Sequence, residues 1–217
     1  LSQVDKEYER EQAKLNSYLS QQVRSLMGDL EVNLSSPEQL SQIIYSCKLV
    51  DKKSWKSLMN IGVDHRGKPL PRPTMDLNSF REAVSSCFKR SKVVRSAKCP
   101  SCNGSGGYFK VKKDGTNFKK QTKCEVCAGK GTIYIDLEDR GGLNLPPRLS
   151  LASAGGFKTD KNTLSMLLNE VTDPRAKKFI ESIVRLSAIE TYRSAFIEGI
   201  RKGIKSDGLL HANFNQC

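Results

Sequence analysis

The N-terminal part of the chain carries apolar residues at the spacing of amphipathic helices. Between Val4 and Leu30 they recur every three or four positions, which aligns them on one face of a long helix. Ser36 and Pro37 then provide an N-cap hydroxyl and a proline at the first helical position, and Gln39 stands at the third. This capping box predicts a second helix that begins at Pro37.

Two stretches rich in glycine and proline divide the rest of the chain. They cover residues 62–73 and 141–156, and neither can sustain a helix. Two helices are predicted after the second stretch. Thr159 or Asp160 can cap the first of them, and Asp173 with the proline that follows it opens a longer one.

Four of the seven cysteines form two Cys-x-x-Cys pairs, and each pair is followed by x-Gly-x-Gly. The pairs are Cys99 with Cys102 and Cys124 with Cys127. Two residues between cysteines let both thiolates of a tight turn reach one ion, and four thiolates complete the tetrahedral shell that Zn²⁺ prefers. We therefore predict one structural zinc ion. A redox role would need thioredoxin-like βαβ units around each pair, and the flanking pattern predicts none.

The chain is strongly basic, with a formal net charge of +13 over 217 residues. Eleven lysines and arginines stand against one acidic residue between Phe88 and Lys123. A hairpin is predicted between the two cysteine pairs, over residues 108–111 and 118–122. Six lysines of this hairpin are candidate DNA contacts: Lys110, Lys112, Lys113, Lys119, Lys120 and Lys123. Such a surface favours nucleic acid as partner, bound through its phosphates without sequence preference.

Four segments outside the cysteine module resemble family A DNA polymerases, in the order in which that family carries them. The segments are residues 33–40 (NLSSPEQL), 156–160 (GFKTD), 193–200 (RSAFIEGI) and 208–216 (GLLHANFNQ). In that family they belong to the thumb, which holds the duplex behind the active site, and to the first strand of the palm. The resemblance implies a DNA-directed DNA polymerase of DNA replication, with primer–template DNA as its partner.

The resemblance also implies roles for individual residues. Arg193 and Ser194 match the part of the thumb that meets backbone phosphates, so both are expected to contact DNA. No catalytic residue is expected here, because the palm carboxylates that hold Mg²⁺ for nucleotidyl transfer come later in the family's sequence. Mg²⁺ is therefore expected only in the palm, and this segment by itself should bind DNA without polymerising it.

Together these patterns predict a mainly α protein with long antiparallel thumb helices and an inserted, small zinc-ribbon-like β-hairpin module. The expected divisions are a first helical thumb part (residues 1–60), the basic zinc-binding module (61–148), a second helical thumb part (149–206) and the start of a palm strand (207–217). The inserted module could contact DNA, or it could dock a processivity factor or another replication protein.

Two other functions fit parts of the sequence. One is a free-standing zinc-ribbon protein that binds nucleic acid. The other is a chaperone module, because the Cys-x-x-Cys-x-Gly-x-Gly motifs resemble the cysteine-rich repeats of DnaJ-type chaperones, although those carry four repeats and a His-Pro-Asp signature. The sequence has no apolar run of about 18 residues and no signal-like start, so no membrane partner is expected. The expected location is the cytoplasm of a bacterial or phage-infected cell.

Overall fold

A computed structural model of the chain describes residues 2–113 and 115–204. It is about 47% helical and carries small antiparallel sheets, so the prediction of a helical protein with a small β element is confirmed at that level. The chain forms two compact units. The helical unit combines residues 2–22 with 159–204, and the mixed unit comprises residues 23–158. The predicted palm strand, residues 207–217, lies outside the described residues.

Seven α-helices occur in the described part of the chain. They are α1 (Ser2–Met27), α2 (Pro37–Tyr45), α3 (Lys52–Leu58), α4 (Leu77–Cys87), α5 (Lys161–Glu170), α6 (Pro174–Thr191) and α7 (Glu198–Gly203). A π-helical segment, Tyr192–Ile197, joins α6 to α7, and a 3₁₀ turn covers Leu149–Leu151. The units divide the chain after Gln22, within α1, and after Lys158. These positions differ from the divisions expected from the sequence, which stay a prediction.

Eight short strands pair into four antiparallel two-stranded sheets among the described residues. They are β1 (Cys47–Leu49) with β2 (Phe88–Arg90), β3 (Lys92–Lys98) with β6 (Thr132–Arg140), β4 (Gly107–Val111) with β5 (Asn117–Lys123), and β7 (Ala152–Ser153) with β8 (Gly156–Phe157). The predicted hairpin between the cysteine pairs is therefore present as β4 and β5. Because β3 pairs with β6, the chain between them leaves and returns at one place. This segment contains that hairpin and both cysteine pairs, and together with its two strands we call it the β3–β6 excursion.

Helix starts follow local sequence with one exception. Asp160 caps α5 by accepting from the backbone N–H of Thr163, and Asp173 caps α6 in the same way. At α2 proline occupies the first turn, but the Ser36 side chain makes no capping bond. Gln39 accepts from the backbone N–H of Asn33 instead, at 2.7 Å. The predicted capping box is therefore wrong. The side chain of Gln39 does not bond to the N-cap residue, and it orders the loop before the helix instead.

Within the helical unit, the first residues of α1 run antiparallel to α6 and the π-helical segment. Apolar residues of α6 such as Phe179, Ile180 and Ile189 are fully buried. Polar and aromatic side chains pair along the edge of the two helices. From one end to the other, the contacting pairs are Gln22 with Arg175, Tyr18 with Lys178, Glu11 with Arg185, and Tyr8 with Tyr192.

Five aromatic rings form the core of the mixed unit. Phe157, on β8, is 1% exposed, and its ring lies within 6.4 Å of four others, measured between centroids. The four are Tyr45, Trp55, Phe80 and Phe88. The indole N–H of Trp55 donates to the Ser153 carbonyl at 2.9 Å, so the one buried polar group of that ring is satisfied. Residues from α2, α3, α4, β2 and β8 thus meet at a single cluster.

Backbone contacts attach the β3–β6 excursion to this core at both ends. Gly28 ends α1 with φ of 76°, and a Cβ there would lie 2.0 Å from the Val94 carbonyl oxygen on β3. Asp29 then accepts from the backbone N–H of Ser96 at 2.9 Å. On the returning side, the N–H of Leu143 donates to the Ile43 carbonyl of α2 at 2.7 Å. The two strands that lead to the cysteine pairs therefore extend from fixed positions beside the aromatic core.

Candidate metal centre and basic hairpin

Each cysteine pair lies on a tight turn between two strands. The first knuckle, residues 99–106, follows β3 and leads into β4, and the second knuckle, residues 124–131, follows β5 and leads into β6. The backbone repeats between them. Asn103 and Ala128 have φ of 48° and 51°, and the glycine after each has φ of 88° and 86°. The two knuckles are therefore the same local fold used twice.

The knuckles also bind one another reciprocally. The backbone N–H of Cys99 donates to the Gly131 carbonyl, and that of Cys124 donates to the Gly106 carbonyl, both at 2.9 Å. A Cβ on Gly106 would lie 2.5 Å from the Gly129 carbonyl oxygen, and one on Gly131 would lie 2.4 Å from that of Gly104. No other residue fits these two positions without moving backbone, because real Cβ contacts are longer. The last glycine of each motif thus sets how closely the pairs approach.

This approach brings four sulfur atoms together. The Sγ atoms of Cys99, Cys102, Cys124 and Cys127 all lie within 4.8 Å of one another. The Cys99–Cys124 and Cys102–Cys127 separations are 3.8 and 3.7 Å. Zn–S bonds of about 2.3 Å place the sulfurs of a tetrahedral site about 3.8 Å apart. The four thiols, which are free cysteines in the structure, therefore form a site that can hold one metal ion, as the sequence predicts.

Hydrogen bonds and burial shift the pKa values of the thiols in opposite directions. The backbone N–H of Gly131 donates to the Cys127 Sγ at 3.2 Å. A hydrogen bond from the Cys127 backbone lowers the pKa of the Cys124 thiol to about 6, whereas burial raises the pKa of Cys99 to about 11. At neutral pH metal binding therefore releases at least the Cys99 proton.

The six lysines predicted as DNA contacts all lie on the hairpin and its turn, and all are exposed. Lys110 belongs to β4, Lys112 and Lys113 to the turn, and the other three, Lys119, Lys120 and Lys123, to β5. Among the described residues, none of them forms an ion pair with a carboxylate. Because nothing neutralises these side chains within the described chain, the hairpin presents an uncompensated positive surface beside the metal centre.

The other two predicted DNA contacts lie in the helical unit, at the π-helical segment. Arg193 donates to Asp5, Glu9 and Gln12 of α1, at 2.9, 2.6 and 2.7 Å. The hydrogen bond from Arg193, together with one from Arg201, holds the pKa of the buried Asp5 carboxyl below its usual value. Ser194 is exposed, and its hydroxyl donates to the Glu190 carbonyl at 2.7 Å. Local sequence patterns do not indicate these partners, because they lie 181 to 188 positions earlier in the chain.

Sequence reasoning also missed a group of exposed aromatic residues on the hairpin. Tyr108 and Phe109 on β4 and Phe118 on β5 are each close to half exposed. The ammonium of Lys112 lies 5.8 Å from the centroid of the Phe118 ring. The sequence contains a signal for this group, since Tyr108, Phe109 and Phe118 each stand within two residues of a lysine.

Replacing any one of the four ligand cysteines by serine should abolish tight metal binding. A hydroxyl is a far poorer ligand than a thiolate for a soft, four-sulfur site, and the remaining three sulfurs leave the shell open. We expect one metal ion per chain in the parent protein and none retained by Cys124→Ser after dialysis, measured by elemental analysis. Cys47→Ser, at a cysteine outside the cluster, should retain one ion. Equal loss in both variants would contradict the assignment.

The glycine contacts between the knuckles lead to a second expectation. Gly106→Ala should weaken metal binding at least about tenfold more than Gly115→Ala, measured by competition with a coloured chelator. Both glycines have positive φ, 75° and 80°, but only Gly106 faces a neighbouring carbonyl, whereas a Cβ on Gly115 would meet no described atom within 4 Å. The comparison thus separates the effect of the close approach of the knuckles from that of backbone strain. Equal metal affinities of the two variants would show that the close approach is not required.

Within the described residues, no helix combines the length and the apolar character that crossing a bilayer requires. Comparisons of the chain with protein-family models, with curated proteins and with solved structures find no match.

Proposed function

We propose that this chain is a DNA-binding segment of a template-directed DNA polymerase, in which a zinc-stabilised basic hairpin adds contacts to the DNA backbone. The observation that carries the proposal is the set of six exposed hairpin lysines, none paired with a described carboxylate, beside a four-thiol metal site. An uncompensated cationic surface of this kind releases counterions from DNA phosphates when it binds, and this release favours association.

The metal proposed for the site is Zn²⁺, in a structural role. Four thiolates suit a soft or borderline ion and fill a tetrahedral shell, so no coordination position remains for water or substrate. The reaction chemistry of the proposed polymerase would thus belong to the palm and its Mg²⁺ ions, and the cysteine site would serve only to fold the segment that carries the hairpin.

The helical unit is proposed as the thumb that holds the primer–template duplex. Its support is the antiparallel arrangement of α1 and α6, together with the resemblance of residues 193–200 to family A polymerases. The resembling segments 33–40 and 156–158 lie in the mixed unit, so the proposed thumb includes that part of the chain as well. In this proposal Arg193 exchanges Glu9, whose side chain is 56% exposed, for a phosphate oxygen, while the buried Asp5 keeps the guanidinium oriented. The hairpin would then be the insertion in that thumb.

The proposed phosphate contacts are tested by the salt dependence of duplex DNA binding. Changing Lys110, Lys112 and Lys120 together to alanine should reduce the slope of log affinity against log salt by about 2–3, because each lost phosphate contact removes about 0.9. The measurement is fluorescence anisotropy of a labelled primer–template at several salt concentrations, with affinity expected to be independent of base sequence.

The matched control changes Lys53, Lys56 and Lys68, three exposed lysines of the mixed unit, to alanine. It removes the same total charge away from the hairpin strands, so its slope should stay within about one of the parent value. If the two triple variants have equal slopes, the change in slope follows from net charge alone. The support for a hairpin interface would then be lost.

The polymerase assignment has a separate test in the coding sequence that surrounds this chain. Family A polymerases continue from the segment that residues 208–216 resemble into a Thr-Gly-Arg-Leu-Ser motif and then the palm aspartates. We expect the reading frame beyond Cys217 to encode them. A long downstream frame without them would reject the polymerase proposal and leave a nucleic-acid-binding zinc protein as the function that the hairpin supports.

A further inference from the structure

The hairpin displays aromatic rings among its lysines, which phosphate neutralisation alone does not require. Tyr108, Phe109 and Phe118 are 48%, 49% and 48% exposed. Almost every residue from Tyr108 to Gln121 that the structure describes is exposed, so neither face of the hairpin packs on a core. Large apolar groups held in water cost free energy, and their grouping on one element marks a contact surface.

The strand pairing assigns two of the rings to one face. Side chains alternate along β4, so Tyr108 and Lys110 point to one side and Phe109 points to the other. The register breaks between Phe109 and Val111, and the lysine of the turn, Lys112, contacts the Phe118 ring. Tyr108 pairs with Thr122, and alternation along β5 from Thr122 places Lys120 and Phe118 on the side of Tyr108 as well. We call this set, Tyr108, Lys110, Lys112, Phe118 and Lys120, the stacking face.

We infer that the stacking face binds single-stranded nucleic acid, with unpaired bases stacked on Tyr108 and Phe118 and with the lysines on the intervening phosphates. This inference rests on the proposed DNA binding of the hairpin and specifies which form of nucleic acid it takes. Aromatic rings flanked by cations are the arrangement by which proteins hold single strands without reading their sequence. A paired duplex offers its phosphates to the lysines, but its bases are already stacked on one another and leave the rings unused.

Charge decides between this ligand and an unfolded polypeptide, which the exposed rings could also contact. None of the six lysines of the hairpin forms an ion pair with a described carboxylate, and together they would repel a chain of basic composition. A nucleic acid strand satisfies rings and lysines together, because each nucleotide brings one base and one phosphate. The cation–π contact of Lys112 with Phe118 holds that ring beside a phosphate-binding group before any ligand arrives.

The test compares three labelled ligands of equal length by fluorescence anisotropy, using the full chain loaded with zinc. They are an oligothymidylate, an abasic strand with the same phosphates, and a duplex. We expect the oligothymidylate to bind at least about tenfold more tightly than the abasic strand. In the double variant Tyr108→Ala and Phe118→Ala this difference should disappear, while the salt slope stays unchanged.

Two further variants keep the result interpretable. Phe109→Ala removes an equally exposed ring from the opposite face and should leave affinity for the oligothymidylate within about twofold. Phe118→Trp should retain or strengthen binding, because a larger ring stacks at least as well. Retention of one zinc per chain in the double variant shows that its knuckles are folded. A loss of binding can then be attributed to the removal of the two rings.

Three results would overturn the inference. They are equal affinity for the abasic strand and the oligothymidylate, an unaltered preference in the double variant, and displacement of the oligothymidylate by an uncharged unfolded polypeptide that also requires Tyr108 and Phe118. None of these affects the duplex salt slope of the lysine variants. Failure of the stacking face is therefore distinguishable from failure of the proposed DNA contacts.

Discussion

The close approach of two short knuckles is the constraint on which the basic hairpin depends. Four sulfur atoms can surround one ion only because Gly106 and Gly131 let the knuckles meet at backbone distance. A two-stranded hairpin has little stability in water by itself, and β4 and β5 bury almost nothing along their length. What fixes them is the base of the hairpin, where Gly107 pairs with Lys123 directly beside the knuckles. A metal ion held by the four thiols would therefore replace the hydrophobic core that this segment lacks.

The same arrangement explains how an exposed surface can have a defined shape. The outer strands, β3 and β6, connect the knuckles to the rest of the mixed unit. Backbone hydrogen bonds hold them there, from Asp29 to Val94 of β3 and from Leu143, just after β6, to Ile43. Neither anchor needs apolar residues in the hairpin. Its positions are therefore available for lysines and aromatic rings, whose exposure would be costly in a segment that also had to supply a core. The knuckles thus stabilise the hairpin, and its two strands carry the exposed lysines and aromatic rings.

Local signals made part of this architecture readable from the sequence. The cysteine spacing, the hairpin between the pairs and the caps at Asp160 and Asp173 each depend on residues a few positions apart, and each occurs in the structure. The misses depend on distant residues. The segment that begins at Lys92 becomes a strand because Thr132–Arg140 pairs with it, and Phe157 becomes a core residue because four other elements converge on it. The partners of Arg193 likewise come from the opposite end of the chain. No short window contains that information.

Hydrogen exchange with and without metal shows whether the knuckles and a bound ion fold the hairpin. We expect the amides of β4 and β5 to be protected in the zinc-loaded chain and to exchange freely after chelation. Amides of α2 and α6 should keep their protection, because their cores contain no metal ligand. Adding zinc back should restore protection from exchange for the hairpin amides alone. Protection of β4 and β5 that survives removal of the metal would contradict the account, because the hairpin would then hold its structure without the four-thiol site.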